Sequence, residues 1–564
     1  MELPGQPNAQ FLDPNDSNTV LGNTDPNGAC LQEPGETAVY QIHKLIDDLS
    51  KRLNSDLHDT GITSSFLDAC LQEFFERISP CFPVIHGPTF KSGESIPPLL
   101  LNIVALGSLF VCLPGSLQKG EMLWRLGHTA VATSWQTLIG MRGPRDACDG
   151  IQLVLTALLG QTYALLSSNH SIRRTAFVFH GLGFYWARTC DMYTIRDTSP
   201  SEIPSLEASG EEKNEIWRTW AASEVQRRAI LGHYILDGLI SQASGSPASA
   251  RHLINATGAA CSDVAFAAKT ADEWILEMAR TKSTAIPMSE VFVSIFSANC
   301  ASMPLQLSSF TIFVCMEGLQ SLVADLNETS GPVFGAVSRP QIIRALLNLY
   351  HNHLYPSSSP TNVDSFQLLI RWHTICLELA TPSTLLYRRI CELYKLPPLT
   401  GGSKTTKSSS RGTFFSFDLE KWAGSADAAR AVLHATAITR ILNQIPLRHA
   451  HATHLPAAIF ASAVVLGGVC LGDKGTFNLS KTANTHWDHA WASAATGEQV
   501  LQQANQGSEA EDCIPVHLLS EMNFLQISLK TIASRWGVSA QMEEMIGHLA
   551  MICRERLQRQ EYEG

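Results

Sequence analysis

Hydrophobic residues in this chain recur every third or fourth position over long stretches, the spacing that aligns side chains on one face of an α-helix. Ile151, Val154, Leu155, Leu158, Leu159, Leu165 and Leu166 follow it over 151–166, and it returns over 426–442, 455–471, 518–532 and 540–557. Near the start, Ile42, Leu45, Ile46 and Leu49 predict a helix over 39–53, and Leu67, Cys70, Leu71, Phe74 and Phe75 predict another over 66–78. The longest apolar stretch, 96–114, is interrupted by Asn102 and Gly107 and falls short of an unbroken span of about 20 residues, so it reads as a buried helix. Strand signals are scarce: few runs alternate β-branched with polar residues, and no Asn-Gly or Asp-Gly turn is flanked by two of them. The pattern predicts an all-α fold, a large multi-helix array.

One helix stands out. Trp217, Trp220, Ala221, Leu231, Tyr234 and Ile235 form a single apolar face. Glu224 lies three and four residues before Arg227 and Arg228, the spacing at which helical side chains meet, so an ion pair is expected there. By spacing alone this is a core helix with a solvated charged flank, and an exposed pair would contribute little.

Two shifts in composition divide the chain. Residues 1–38 are rich in Asn, Pro, Asp and Gly with few large hydrophobes, so burial cannot offset chain entropy and disorder is expected. Residues 400–412 carry Gly, Ser, Lys404, Lys407 and Arg411 and read as a flexible linker. The expected organisation is a helical domain over 39–399, the linker over 400–412, and a helical block over 413–564 that packs on the preceding domain.

Composition narrows the function classes. The 564 residues are 45% hydrophobic and only 16% charged, with a net charge of −11, so no global attraction to nucleic acid or an anionic membrane is available and any DNA contact must be local. Fourteen Cys are spread without close pairing, which suits a reducing compartment and argues against disulfides. The first residues lack the basic and apolar regions of a secretory signal, so export is not expected.

The residues Trp217-Arg-Thr-Trp220-Ala-Ala-Ser-Glu224-Val-Gln-Arg227-Arg228, followed by Tyr234-Ile-Leu-Asp237, the loop Gly245-Ser-Pro247 and the acidic turn Asp263 to Asp272-Glu273-Trp274, resemble the middle homology domain of fungal transcription factors. The likeness extends to an opening motif, Phe74-Phe75, Pro80, Pro83-Val84-Ile85-His86 and Pro88-Thr89-Phe90, and to Arg173-Arg174 and the segment His180 to Ala187-Arg188. Trp422, Ala428, Arg430, His434, Ala435 and Pro456 to Leu466 are similar to the C-terminal helices of the subset that usually carries N-terminal Cys2His2 zinc fingers. In all it covers roughly residues 64–470.

The resemblance implies a nuclear regulator of RNA polymerase II genes, in a metabolic or secondary-metabolite gene set, and no enzyme. It implies that Trp217, Trp220, Glu224, Arg227, Arg228 and Asp237 hold the architecture. The expected partners are promoter DNA, reached directly or through a zinc-bearing partner, the transcription machinery and a second copy or a related chain, with no membrane. One departure bears on DNA: tetrahedral zinc modules need paired ligands at short spacing, and no Cys-x2-Cys occurs in the sequence. Direct contact and recruitment by a partner both stay open, as do activation and repression.

Other chemistry finds little support. Gly181-Leu-Gly183 begins like a dinucleotide loop, but Trp186 stands where the third Gly belongs and no strand precedes it. Gly467 to Gly472-Asp-Lys474 imitates a phosphate loop but comes at a helix end, as a C-cap and turn would. No Gly-x-Ser-x-Gly elbow occurs, and Asp47-Asp48 lacks the further carboxylates that a magnesium-dependent helical cyclase needs. His449, His451 and His454, with His434, suggest a metal site, yet no acidic or thiol ligand is near and a polar helix-helix loop is the stronger reading. Trp186, Cys190, Trp217, Trp220 and Trp274 could line a ligand pocket, although core packing is the stronger reading. No catalytic, cofactor or metal residue is expected. A helical small-molecule-binding protein or enzyme unrelated to DNA is the alternative.

Overall fold

The computed structural model describes residues 62–563 except 282–285, 298–305, 329–334, 356–362, 397–417, 447–451, 473–475, 481–485, 505–512 and 533–534. The expected disorder over 1–38, the helix over 39–53 and the linker over 400–412 lie outside the described residues.

The described chain is an all-α array. Its helices are α1 (Ser64–Glu73), α2 (Pro97–Ser108), α3 (Ser116–Leu138), α4 (Ile151–Leu166), α5 (His170–Phe179), α6 (Leu182–Thr189) and α7 (Gly210–Ser244). Next come α8 (Asp263–Ala267), α9 (Ala271–Thr281), α10 (Met288–Phe296), α11 (Ser309–Glu328), α12 (Arg339–Leu349), α13 (Val363–Ala380) and α14 (Ser383–Tyr394). The chain ends with α15 (Leu419–Ala423), α16 (Ala426–Leu442), α17 (Leu455–Leu471), α18 (Trp487–Ala490), α19 (Gly497–Ala504), α20 (Leu518–Ile532) and α21 (Val538–Glu563). The periodicity over 151–166, 426–442, 455–471 and 518–532 matches α4, α16, α17 and α20 residue for residue. What the periodicity does not contain is a short antiparallel pair, β1 (Thr476–Ser480) with β2 (Cys513–His517), in which Thr476 faces His517 and Ser480 faces Cys513.

Local chemistry explains several helix ends. Thr63 caps α1, Ser209 caps α7, and Ser338 with Gln341 forms a reciprocal capping box on α12. Helix α7 stops at Gly245, whose φ of 68° is a left-handed conformation open to glycine, with its N–H donating to the Ser241 carbonyl. Helix α1 runs directly into a π-turn, Phe74–Ile78, in which the Ser79 N–H donates to the Phe74 carbonyl five residues back.

Residues Ile62–Gly564 form one compact unit. Helices on both sides of 397–417 share its core: α13 packs on α16 and α17, and α14 packs on α17. Helix α17 is buried all round, as its continuous apolar sequence demands, while α7 lies against α4 and α11. A second, smaller core contains Trp217, Trp220, Ala221, Phe266, Trp274 and Met278. Among the described helices, α11 alone has the length and apolarity of a membrane span, and 72% of that window is buried inside the protein, as in a core helix.

Candidate regulatory site

Helix α7 is the polar axis of the molecule. Its first half buries Glu224, Arg227 and Arg228 almost completely. The spacing argument foresaw the pair but placed it on a solvated flank; α8 and the chain before it cover that flank instead. Glu224 accepts from Arg227 at 2.8 Å, from Arg228 at 2.9 Å and from the Cys261 N–H at 2.9 Å. Arg227 also pairs with Asp197. Burial works against the Arg227 charge, but Glu224, Cys261 and Asp197 outweigh it and hold the guanidinium above its ordinary range.

Arg228 joins three separate pieces of chain. It donates to the Pro83 carbonyl of the opening motif at 3.3 Å, to the Cys261 carbonyl at 2.9 Å and to Asp263 at 3.0 Å. Its guanidinium lies over the Phe266 ring at 4.1 Å and the Phe310 ring at 4.8 Å. His86 of the opening motif sits edge-on to Trp217 and Phe266, and burial pushes its pKa down to about 4. These contacts assemble the opening motif, the acidic turn and α7 into one corner.

The second half of α7 holds another polar cluster. Asp237 accepts from the Ser249 and Ala250 N–H groups at 2.8 and 2.9 Å and pairs with His252 at 3.2 Å, which pins the loop after Gly245. Further on, Arg371 of α13 pairs with Glu317 of α11 at 2.6 Å and donates to Gln242 of α7, all three buried. Gln242 also reaches Glu378, which accepts from Ser383. Burial raises the pKa of Glu317 against the opposing pull of Arg371, and burial raises that of Glu378 against the Ser383 hydrogen bonds.

A cleft of about 1440 Å³ opens beside the Arg228 corner. The opening motif (Pro80, Pro83, Ile85, Pro88), the acidic turn (Asp263, Phe266), the first turn of α11 (Ser309, Phe310, Phe313) and the segment leading into α17 (Ala452 to His454) form its walls. Trp186, Cys190, Trp217, Trp220 and Trp274 are not among the lining residues. Trp217, Trp220 and Trp274 form the smaller core, and Trp186 packs in the main core with its ring stacked on Trp135. Periodicity had no means of finding the cleft, because its walls lie more than 300 residues apart in sequence.

The histidines also depart from the sequence reading. His454 is buried at the start of α17, its Nε2 hydrogen donating to the Gln367 carbonyl at 3.0 Å, and so does not lie in a polar loop. His434 pairs with His373 at 2.9 Å and stacks on Trp487, a different neighbourhood. His449 and His451 lie outside the described residues. Among the described residues no group of three or more His, Cys, Asp or Glu side chains could hold a metal ion.

In this all-α array Arg228 of the longest described helix, α7, joins the opening motif to the acidic turn. Residues 71–313 match the fungal specific transcription factor domain. Over 276 residues, 49% of this chain, it is 24% identical to the Nicotinate catabolism cluster-specific transcription factor of Emericella nidulans. The matched stretch covers 30% of that relative. No solved structure matches the chain.

Proposed function

We propose that this chain is a nuclear regulator of transcription by RNA polymerase II, controlling a metabolic or biosynthetic gene set and acting through its helical domain. The observation that carries the reading is the match of residues 71–313 to the fungal specific transcription factor domain, with the Glu224, Arg227 and Arg228 cluster intact inside it. The name of the relative, a regulator specific to one catabolic cluster, supports control of a pathway. A non-enzymatic role fits the buried acids and bases. Asp237, Glu317, Glu378 and His233 are engaged with backbone groups or with one another's partners and do not converge on the cleft.

With no Cys-x2-Cys in the sequence, contact with promoter DNA runs through a zinc-bearing partner or through a local surface of the chain itself. Self-association or pairing with a related chain belongs to the same reading. The test is genomic occupancy of the tagged protein, with and without its zinc-bearing partner. Occupancy lost with the partner supports recruitment, and occupancy that persists supports direct contact. No promoter occupancy under either condition overturns the reading.

A further inference from the structure

The cleft beside Arg228 has two properties that together specify an occupant. Its interior carries no unbalanced charge: of its charged lining residues, Asp263 is paired with Arg228, and Lys269 is exposed. An ionised ligand would therefore give up hydration with no counter-charge waiting, whereas apolar surface is met by the Phe266, Phe310 and Phe313 rings.

His454 supplies the second property. It lines the cleft at 3% exposure, edge-on to Phe313 at 5.5 Å. The Gln367 carbonyl can only accept, so Nε2 must carry the hydrogen, and Nδ1 is a bare lone pair. That Nδ1 is buried and has no hydrogen-bond partner. Burial and the positive charge of Arg371 push the His454 pKa down to about 3, so the ring stays neutral and Nδ1 stays an acceptor at any physiological pH. A buried acceptor without a donor is a standing penalty, which a donor supplied from outside would relieve.

We infer that the cleft is a binding site for an uncharged, largely apolar small molecule bearing a hydroxyl or N–H group, which donates to Nδ1 of His454 while its apolar body packs on Phe266, Phe310 and Phe313. The volume exceeds the roughly 300–1,000 Å³ usual for small-molecule pockets, so a ring system with a side chain fits. The site draws on both the matched domain and the segment leading into α17, which lies outside it.

The test uses the full chain and a series of ω-phenylalkanols, each paired with its methyl ether, which keeps the apolar body and removes the donor. Calorimetric titration should show the alcohols binding about fivefold tighter than the ethers, the worth of one hydrogen bond. His454→Phe should erase that difference and leave ether affinity unchanged. Val264→Trp, at an exposed position on the rim, should weaken alcohol and ether alike and leaves the buried packing untouched, so it keeps the test open if His454→Phe fails to fold. Equal affinity of alcohols and ethers in the unsubstituted chain overturns the inference. So does a preference for alcohols that survives His454→Phe, or the absence of saturable binding across the series. None of these results depends on whether the chain acts at promoters.

Discussion

The two halves of α7 bury charge in opposite ways. At Glu224 one carboxylate holds two guanidiniums, whereas around Gln242 two buried carboxylates have one guanidinium near them: Arg371 pairs with Glu317, and Glu378 is held by Ser383 and Gln242. A guanidinium cannot shed its proton to escape burial, but a carboxylate can gain one. The first cluster therefore behaves as a permanent staple. The second is conditional, as the raised Glu317 and Glu378 pKa values indicate.

Acidification of the whole protein is the largest expected effect, and it must be separated from the second cluster. Burial holds His86 and His233 near pKa 4 and His373 and His454 near 3, and pushes His434 well below its ordinary value. These groups are neutral when folded but take up protons when unfolded below about 6.5, so stability present above that pH is lost as pH falls. The loss approaches about 1.4 kcal/mol per histidine per pH unit. Glu317 and Glu378 act in the other direction. Each keeps its proton to higher pH when folded, so its contribution is full below the ordinary Glu range and lost as pH rises through the folded value. Five histidines outweigh two glutamates, and urea denaturation should show stability falling steeply between pH 6.5 and 5. A flat profile would mean that these rings are not buried.

Substitution separates the halves directly. Glu224→Leu removes the carboxylate shared by two buried cations, leaving Arg227 only Asp197 and Arg228 only Asp263, and should cost about 3–5 kcal/mol, nearly unchanged between pH 6 and 8. Arg371→Leu strands Glu317, which can neutralise itself, and should cost roughly 1–2 kcal/mol less than Glu224→Leu at neutral pH. Its penalty, measured as a difference from the unsubstituted chain at each pH, should shrink toward pH 6. Equal penalties with equal pH dependence would erase the distinction.

Between the two clusters lies His233, whose ring donates to the Val154 carbonyl at 3.0 Å and fills the space beside Gly183. Gly183→Ala would drive a methyl group into that ring and should cost about 1–3 kcal/mol by thermal denaturation. The smallest change is expected far from both clusters. Arg125 makes an exposed pair with Glu121 at 2.8 Å, and Arg125→Ala should shift stability by less than about 0.5 kcal/mol. A larger shift there would mean that charge contributes much more at the surface than the comparison assumes.

How legible these features were depends on how local they are. The bounds of α4, α16, α17 and α20 could be read because a one-sided or wholly apolar helix writes its burial into its own spacing. The Glu224 pairing was legible for the same reason, being three and four residues long. Its burial was not, since what covers it is the distant backbone of Pro83 and Cys261. The Arg371 cluster left no trace in the pattern: Arg371 of α13 meets Glu317 of α11 across 54 positions and Gln242 of α7 across 129. The paired strands were invisible because each is five residues long and its partner lies more than 30 residues away. Of the cleft, the resemblance supplied the opening motif and the acidic turn, and packing supplied the wall that holds His454.

The π-turn at Phe74–Ile78 has a consequence for ancestry. A regular helix advances about 100° per residue, so one residue more or less rotates everything downstream by that angle. The turn absorbs one surplus residue immediately before Pro80, and with it both Phe74 and Ile78 reach the core while Pro83 arrives where Arg228 can bond its carbonyl. A related chain one residue shorter at this point would need either a regular helix with a differently turned Pro80–Phe90 segment, or a compensating insertion before Pro83. An alignment gap of one at residues 74–78 is therefore the trace expected in any relative that builds this corner on a regular helix.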